Sequence, residues 1–174
     1  MNQLILIKPG EEYIEEIRAY RQEFLDHNSP LEGTGMLGDF NDIAEWIRQM
    51  RLFEKDETKP NPNWVASTQY MLVEEGGSRI LGMINLRHYL NEGISETGGH
   101  IGYCVRPSER RKAYAKAMLM LALEKYREMG ITKVLLTCNP DNIASARTME
   151  ACGAKFERIG IKDGKEEKRY WITL

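Results

Sequence analysis

The chain has 174 residues, 42% of them apolar, and its 24 basic and 26 acidic side chains give a formal charge of -2. That size predicts one domain, residues 1–174, with a real core, and the near balance of charge gives no general attraction to nucleic acid or an anionic membrane. Three cysteines, Cys104, Cys138 and Cys152, without CxxC spacing or a paired His motif argue against a disulfide framework and a metal site. No apolar run approaches the roughly 18 residues of a membrane helix, and the opening MNQLILIK is too short for a signal peptide, so a cytoplasmic protein is expected.

In chain order, LILIK predicts a first strand, and EEYIEEIRAYRQEFLDH a helix with Tyr13, Ile17, Tyr20 and Phe24 on one face. After the turn-rich SPLEGTGMLGD, FNDIAEWIRQMRLFE predicts a second helix burying Ile43, Trp46, Ile47 and Met50, ended by KDETKPNPN. TQYMLVEE and RILGMINLRHYL read as a hairpin about GGS, with GGHIGYCVRP as a third strand beside it. A helix is expected from about Glu109 to Met129, with Tyr114, Ala117, Met118, Leu121 and Ala122 on its apolar stripe and a stop at Gly130. ITKVLLTCNP then reads as a buried strand, DNIASARTMEAC as a helix, and the last twenty residues as two strands joined at Asp163-Gly164. The fold class expected is α/β: a mixed sheet flanked by helices, with one parallel βαβ crossover.

That crossover, from GYCVRP to KVLLTC, sets a helix N-terminus at the carboxyl end of a strand, where unpaired amides and the positive helix end favour an anion. Arg110, Arg111 and Lys112 stand beside the amides of Arg111, Lys112, Ala113, Tyr114 and Ala115. Basic residues there oppose the helix dipole. On charge alone, a bound pyrophosphate and a merely solvated helix start are equally good explanations.

The run VRPSERRKAYA resembles motif A of the GCN5-related N-acetyltransferase (GNAT) superfamily, matched at Arg110, Ala113 and Ala115. TCNPDNIASARTMEACGAKFE is similar to the family's second conserved block, and WVASTQYMLVEE, INLRHYLNE and GGHIGY resemble a bacterial subgroup of predicted acetyltransferases. The resemblance implies the GNAT acyl-CoA N-acyltransferase fold, with a mostly antiparallel central sheet, and direct transfer of acetyl from acetyl-CoA, the co-substrate, to an amine. It implies that pantetheine lies between two splayed strands on the backbone of Cys104, Val105 and Arg106, and that pyrophosphate sits at Arg110 to Ala115. Asn142, with Ser145 beside it and Asn139 before it, would meet the pantetheine amides. Two positions depart from the pattern: the middle Gly is Ala113, expected to be tolerated because helical φ is negative, and a Tyr common in the last helix is replaced by Met149.

For the chemistry, His100 is the first candidate to deprotonate the amine, followed by His88 and by Glu96 through water, and Tyr103 is a candidate proton donor. Cys104 is expected to be a small buried strand residue and no nucleophile. The acceptor pocket is expected between the first two helices, the loop SPLEGTGMLGDF, the sheet edge at Arg87 and His88, and the closing hairpin. Glu32, Asp39 or Glu96 would hold a cationic amine there, and Arg87 a carboxylate. The function expected is N-acetylation of a primary amine on a small molecule or peptide, by a monomer or homodimer without nucleic acid, membrane or metal. A non-catalytic acyl-CoA-binding module is the alternative. A nucleotide-binding domain is a third reading, against which the absence of GxxxxGK[ST] and GxGxxG speaks.

Overall fold

The structure, a computed structural model, describes residues 3–174. Its strands are β1 (Leu4–Ile7), β2 (Ser67–Glu74), β3 (Gly82–Arg87), β4 (Ile101–Val105), β5 (Lys133–Cys138), β6 (Lys155–Lys162) and β7 (Lys165–Thr173). The helices are α1 (Ile14–Asp26), α2 (Ile43–Leu52), α3 (Tyr114–Glu128) and α4 (Ile143–Ala151). The strands form one sheet in the order β1-β2-β3-β4-β5-β7-β6, antiparallel throughout except for β4 with β5. This is the mixed α/β arrangement expected.

Strand alternation sorts the side chains onto two faces. Met71 and Val73 of β2 and Met83 of β3 turn to one face, where α1 packs Ile17, Tyr20 and Phe24 and α2 packs Ile43, Trp46, Ile47 and Met50. Leu72, Ile84 and Leu86 turn to the other, under α3 and α4. Each such side chain, fully buried, stabilises the fold by about 1.5–3 kcal/mol. Asp42 caps α2, its carboxylate accepting the Ala44 N–H at 2.9 Å. Trp46 Nε1–H donates to the carbonyls of Thr34 and Gly35, which ties the α1–α2 loop to the core. On α3 the buried residues are Met118, Leu119, Ala122, Leu123 and Tyr126, so the stripe is turned from the expected one, with Tyr114, Ala117 and Leu121 at its margin.

The third helix also begins later than expected. Pro107–Glu109 forms a 3-10 turn, and Arg111 (φ 64°) and Ala113 (φ 62°) are left-handed, so α3 starts only at Tyr114. The turn is held from outside: Glu23 on α1 accepts the Ser108 N–H at 2.7 Å, and Glu109 is buried between Arg79 and Lys112. At the far end of the chain, Asp163 and Gly164 both have positive φ, as a two-residue hairpin turn demands.

What positions the site is the poor pairing of β4 with β5. Their register contains a single pair, Ile101 with Leu136. The His100 N–H donates to Leu135 O at 2.8 Å and the Leu135 N–H donates to His100 Nδ1 at 2.9 Å, closing the join at its start. Beyond it the strands part.

Candidate active site

The parting of β4 and β5 opens a cavity of about 600 Å³, lined by β4 at Tyr103, Cys104 and Val105, the approach to α3, α4, and the α1–α2 loop at Ser29, Pro30 and Glu32. The Arg106 N–H donates to Leu81 O, so Arg106 turns its main chain toward β3. By antiparallel alternation Cys104 and Gly102 do the same, leaving the main-chain groups of Tyr103 and Val105 on the open side. Apart from Val105 O, which accepts from Arg110 Nε, they form a free strand edge, suited to an extended amide-bearing ligand.

At the α3 end, the amides of Arg111 to Lys116 have no acceptor among the described residues. Arg111, Ala113, Tyr114, Ala115 and Lys116 all line the cavity, and the Arg111 guanidinium has no protein partner among the described residues. Amides, helix dipole and an uncommitted cation converge there, which is a donor set that fits a pyrophosphate. Arg110 crosses the cavity, its Nε donating to Val105 O and its Nη2 to Ser29 Oγ at 2.6 Å. Lys116, in the first turn of α3, was not anticipated from sequence, although its place beyond Lys112 on a helix start was a usable signal.

The expectation that Ala113 has a helical, negative φ is incorrect. At φ 62° an alanine carries about 1–2 kcal/mol of left-handed strain that glycine escapes. Ala113→Gly is therefore expected to stabilise the fold by roughly 0.5 kcal/mol, after the extra entropy glycine loses on folding. Ala113→Val is expected to destabilise it, so the two urea midpoints should move in opposite directions.

Three further sequence expectations are corrected by what the side chains and main chain touch. Arg106 is 4% exposed and faces away from the cavity, its guanidinium holding Glu23 at 2.6 Å and Glu16 at 2.5 Å. Its amide is spent on Leu81, so it offers pantetheine nothing. Lys112 pairs with Glu109 at 2.8 Å and lies off the cavity lining, as does Asn139. Asn142 and Ser145 do line it, and Asn142 also caps α4, accepting the Ser145 N–H at 3.0 Å.

His100 is not placed to act as a base. It is 6% exposed, lines neither the cavity between β4 and β5 nor the one on the α1/α2 face, and packs against Tyr126 and Trp171. Because Nδ1 accepts from Leu135, the neutral ring carries its proton on Nε2 and has no free lone pair. Burial, with the Arg87 cation nearby, pushes its pKa down to about 4. The other two candidates are also committed elsewhere. His88 Nε2 bonds Thr68 Oγ1 at 2.9 Å. Glu96 pairs with Arg158 at 2.6 Å and is held at about 2 by it.

Tyr103 and Cys104 diverge, as neighbours on a strand must. The Tyr103 hydroxyl meets Ser145 Oγ at 2.9 Å on the α4 side, and burial pushes its pKa up to about 12. The Cys104 thiol points to α1 and lies 3.2 Å from the Tyr20 hydroxyl; burial pushes it up to about 12 as well. A thiol so protonated is no nucleophile at neutral pH.

A second cavity, of about 530 Å³, lies on the α1/α2 face and is lined by the loop from Leu31 to Met36, by Met50, Phe53, Trp64 and Val65, and by Ser67, Asn85 and Arg87 of β2 and β3. The closing hairpin, Asp39 and Glu96 take no part, contrary to expectation. Glu32 lines both cavities. Beside it Gly33 crosses β4 so closely that its Cα lies 3.0 Å from where a Cβ on Gly102 would be. The two cavities thus meet over β4 at Glu32.

Residues 4–155 match the family model described as Acetyltransferase (GNAT) domain. An uncharacterised N-acetyltransferase, YnaD, of Bacillus subtilis (strain 168) is 29% identical over 93 residues, a match spanning 53% of this chain and 52% of that protein, about half the length of the curated relative. Among solved structures, ribosomal-protein-S5-alanine acetyltransferase from Vibrio fischeri superposes with a TM-score of 0.70 at 17% identity, covering 98% of this chain and 92% of that one. The Microcin C7 self immunity acetyltransferase MccE, solved with acetyl-CoA and AMP, also gives 0.70 at 17% identity, covering 100% and 94%. The chain belongs to the GNAT acetyltransferase family, whose co-substrate is acetyl-CoA.

Proposed function

We propose that the protein transfers acetyl from acetyl-CoA directly to a primary amine of a small molecule or peptide, in the cytoplasm, where its three free cysteines suit a reducing medium. One observation carries this reading: two cavities, one furnished for an anion and an extended chain, the other with a polar floor, meet at Glu32.

Acetyl-CoA supplies the activated acetyl thioester. Arg111 and the amides opening α3 hold phosphate, and the free edge of Tyr103 and Val105 aligns the arm with β4. Glu32 pairs with the acceptor's ammonium group and receives its proton, directly or through water, as the amine becomes a nucleophile. Tyr103, at about 12, stays protonated at neutral pH. Giving its proton to a sulfur of ordinary thiol pKa, near 8.5, would run uphill, so it donates a hydrogen bond and keeps the proton. As the N–C bond forms and the C–S bond breaks, CoA leaves as the thiolate, and the second proton of the attacking nitrogen reaches it through solvent to give the thiol.

The test is release of free CoA thiol over a panel of amines, with Glu32→Gln beside the parent. Glu32→Gln is expected to lower kcat/KM by about 100-fold while acetyl-CoA binding, titrated separately, changes little. Parent-like turnover in the variant would remove Glu32 from the mechanism. Tight acetyl-CoA binding with no thiol released on any amine would leave a binding module.

A further inference from the structure

Among the described residues Arg106 and Arg169 are buried and paired with carboxylates, whereas Arg87 is half-buried and is not. Arg106 has Glu16 and Glu23; Arg169, 5% exposed, has Glu157 at 2.8 Å and Glu96 at 3.9 Å. No carboxylate among the described residues lies within ion-pair distance of the half-buried Arg87; Glu32 and Glu167 act on it only from further off. Its Nη1 donates to Gly98 O at 2.9 Å and Gly99 O at 2.8 Å, while Nε and Nη2 have no acceptor among the described residues. Withdrawing a cation from water without a paired anion is costly, and natural interiors avoid it unless something else supplies the charge.

Arg87 lines the acceptor cavity. Directly opposite it in the β2–β3 register is Ser67, whose hydroxyl accepts from Asn85 Nδ2 and keeps its own proton to give. A guanidinium edge and a hydroxyl on paired strands make a two-point donor set for a carboxylate. The wall beyond is apolar: Phe53 and Trp64 stack with centroids 5.5 Å apart, and Trp64 remains 43% exposed. Glu32 also lines this cavity, beyond ion-pair distance of Arg87 but near enough to act on it electrostatically.

We infer that the acceptor is an amino carboxylate with an apolar or aromatic body, its carboxylate on Arg87 and Ser67, its body against Phe53 and Trp64, and its amine at Glu32. A single guanidinium flanked by neutral donors matches one negative charge rather than the two of a phosphate monoester. This rests on the acetyl-transfer reading above for the amine's fate, while the anion site stands on its own geometry.

Two measurements separate the two. The first is thiol release with L-phenylalanine against L-phenylalaninamide and with 4-(aminomethyl)benzoate against its amide, in the parent and in Arg87→Gln. At least one carboxylate is expected to exceed its amide by about 10-fold in kcat/KM in the parent, and the ratio to fall toward one in the variant. The second needs no transfer: quenching of the parent's tryptophan fluorescence by 3-phenylpropionate, against its amide, inorganic phosphate and AMP, with Trp64→Phe as a control that identifies the reporter. Saturable quenching by the carboxylate, with no thiol released from any amine, would keep the carboxylate site and discard acetyl transfer. Transfer that proceeds equally well or better on the amides would overturn the carboxylate site and keep acetyl transfer. Tighter quenching by phosphate or AMP would also overturn it, because the anion would then be a phosphate.

Discussion

Gly33→Ala is expected to reduce turnover by about 1000-fold while leaving the protein folded and its affinity for acetyl-CoA within about tenfold of the parent. A Cβ at position 33 would lie 2.0 Å from the Gly102 carbonyl carbon and 2.3 Å from the Tyr103 nitrogen, at a φ of +65°. Both obstacles are backbone of a central strand and cannot swing aside, so the α1–α2 loop must lift from β4. Lifting it withdraws the Gly33 carbonyl from Gln69 Nε2 and moves Glu32 away from the place where the cavities meet. Losing the base contributes about 100-fold, and a misplaced acceptor wall about tenfold more. The loop's own core contacts, Leu37 and the Thr34 and Gly35 carbonyls held by Trp46, lie beyond Gly33, and most of the two clusters comes from the strands and helices, so the fold is expected to persist. The amides and Arg111 at α3 are outside the loop, so cofactor affinity changes less than turnover. Gly102→Ala makes a graded companion. Its Cβ would meet Gly33 Cα at 3.0 Å, an approach relieved by a few tenths of an ångström, so about a tenfold loss is expected. Circular dichroism, a CoA titration and steady-state rates on both variants check the order. Parent-like rates in Gly33→Ala would show that transfer does not take place where the loop crosses β4.

The elements themselves were legible because burial imposes periods of 2 and 3.6 on a sequence, and the faces of α1 and α2 follow from those periods alone. The start of α3 was not. SERRKAYA contains good helix formers throughout, yet Glu109 is pinned between Arg79 and Lys112, and the chain recovers helical geometry only at Tyr114. Local propensity lost to contacts from thirty residues away and more. Arg106 misleads for the same reason, its partners being 83 and 90 residues distant. The acceptor floor, by contrast, left a readable trace. Met71 and Val73 on β2 and Met83 on β3 share one face, and the same alternation continues as Gln69 and Ser67, and as Asn85 and Arg87. Polar residues that extend an apolar stripe along central strands mark the point where core gives way to a lined cavity. Nothing in a strand's sequence, however, says whether a histidine at its start will point into a cavity or into the sheet. That depends on the twist put in by Gly98 (φ 102°) and Gly99 (φ 62°).

The direction His100 takes predicts its effect, which falls on stability. In the folded protein its pKa is about 4, while an unfolded chain restores the ordinary 6.5. Between those values the unfolded state binds a proton that the folded state refuses, so stability is complete above pH 6.5 and is lost as the pH falls toward 4, where the loss levels off. From pH 6.5 to 5 the loss from this one ring is about 2 kcal/mol. Glu23, held at about 2 as the Arg106 guanidinium and the Ser108 amide outweigh its burial, adds its own loss only below its ordinary carboxylate range, outside that interval. His88, whose pKa partial burial also lowers, titrates inside it and is removed by measuring in a His88→Gln background. His100→Asn is the informative substitution, because Oδ1 of asparagine stands the same number of bonds from the backbone as Nδ1 of histidine and can still accept the Leu135 N–H. Urea unfolding of His100→Asn is expected to give a free energy flat from pH 6.5 to 5, against a decline of about 2 kcal/mol with the histidine in place. His100→Leu, which leaves the Leu135 amide buried without an acceptor, should instead lose about 1–3 kcal/mol at every pH. Turnover of His100→Asn near neutral pH should match the parent, with the same dependence on pH. A hundredfold slower enzyme that remained stably folded would return the imidazole to the chemistry and displace Glu32 as the group that takes the amine's proton.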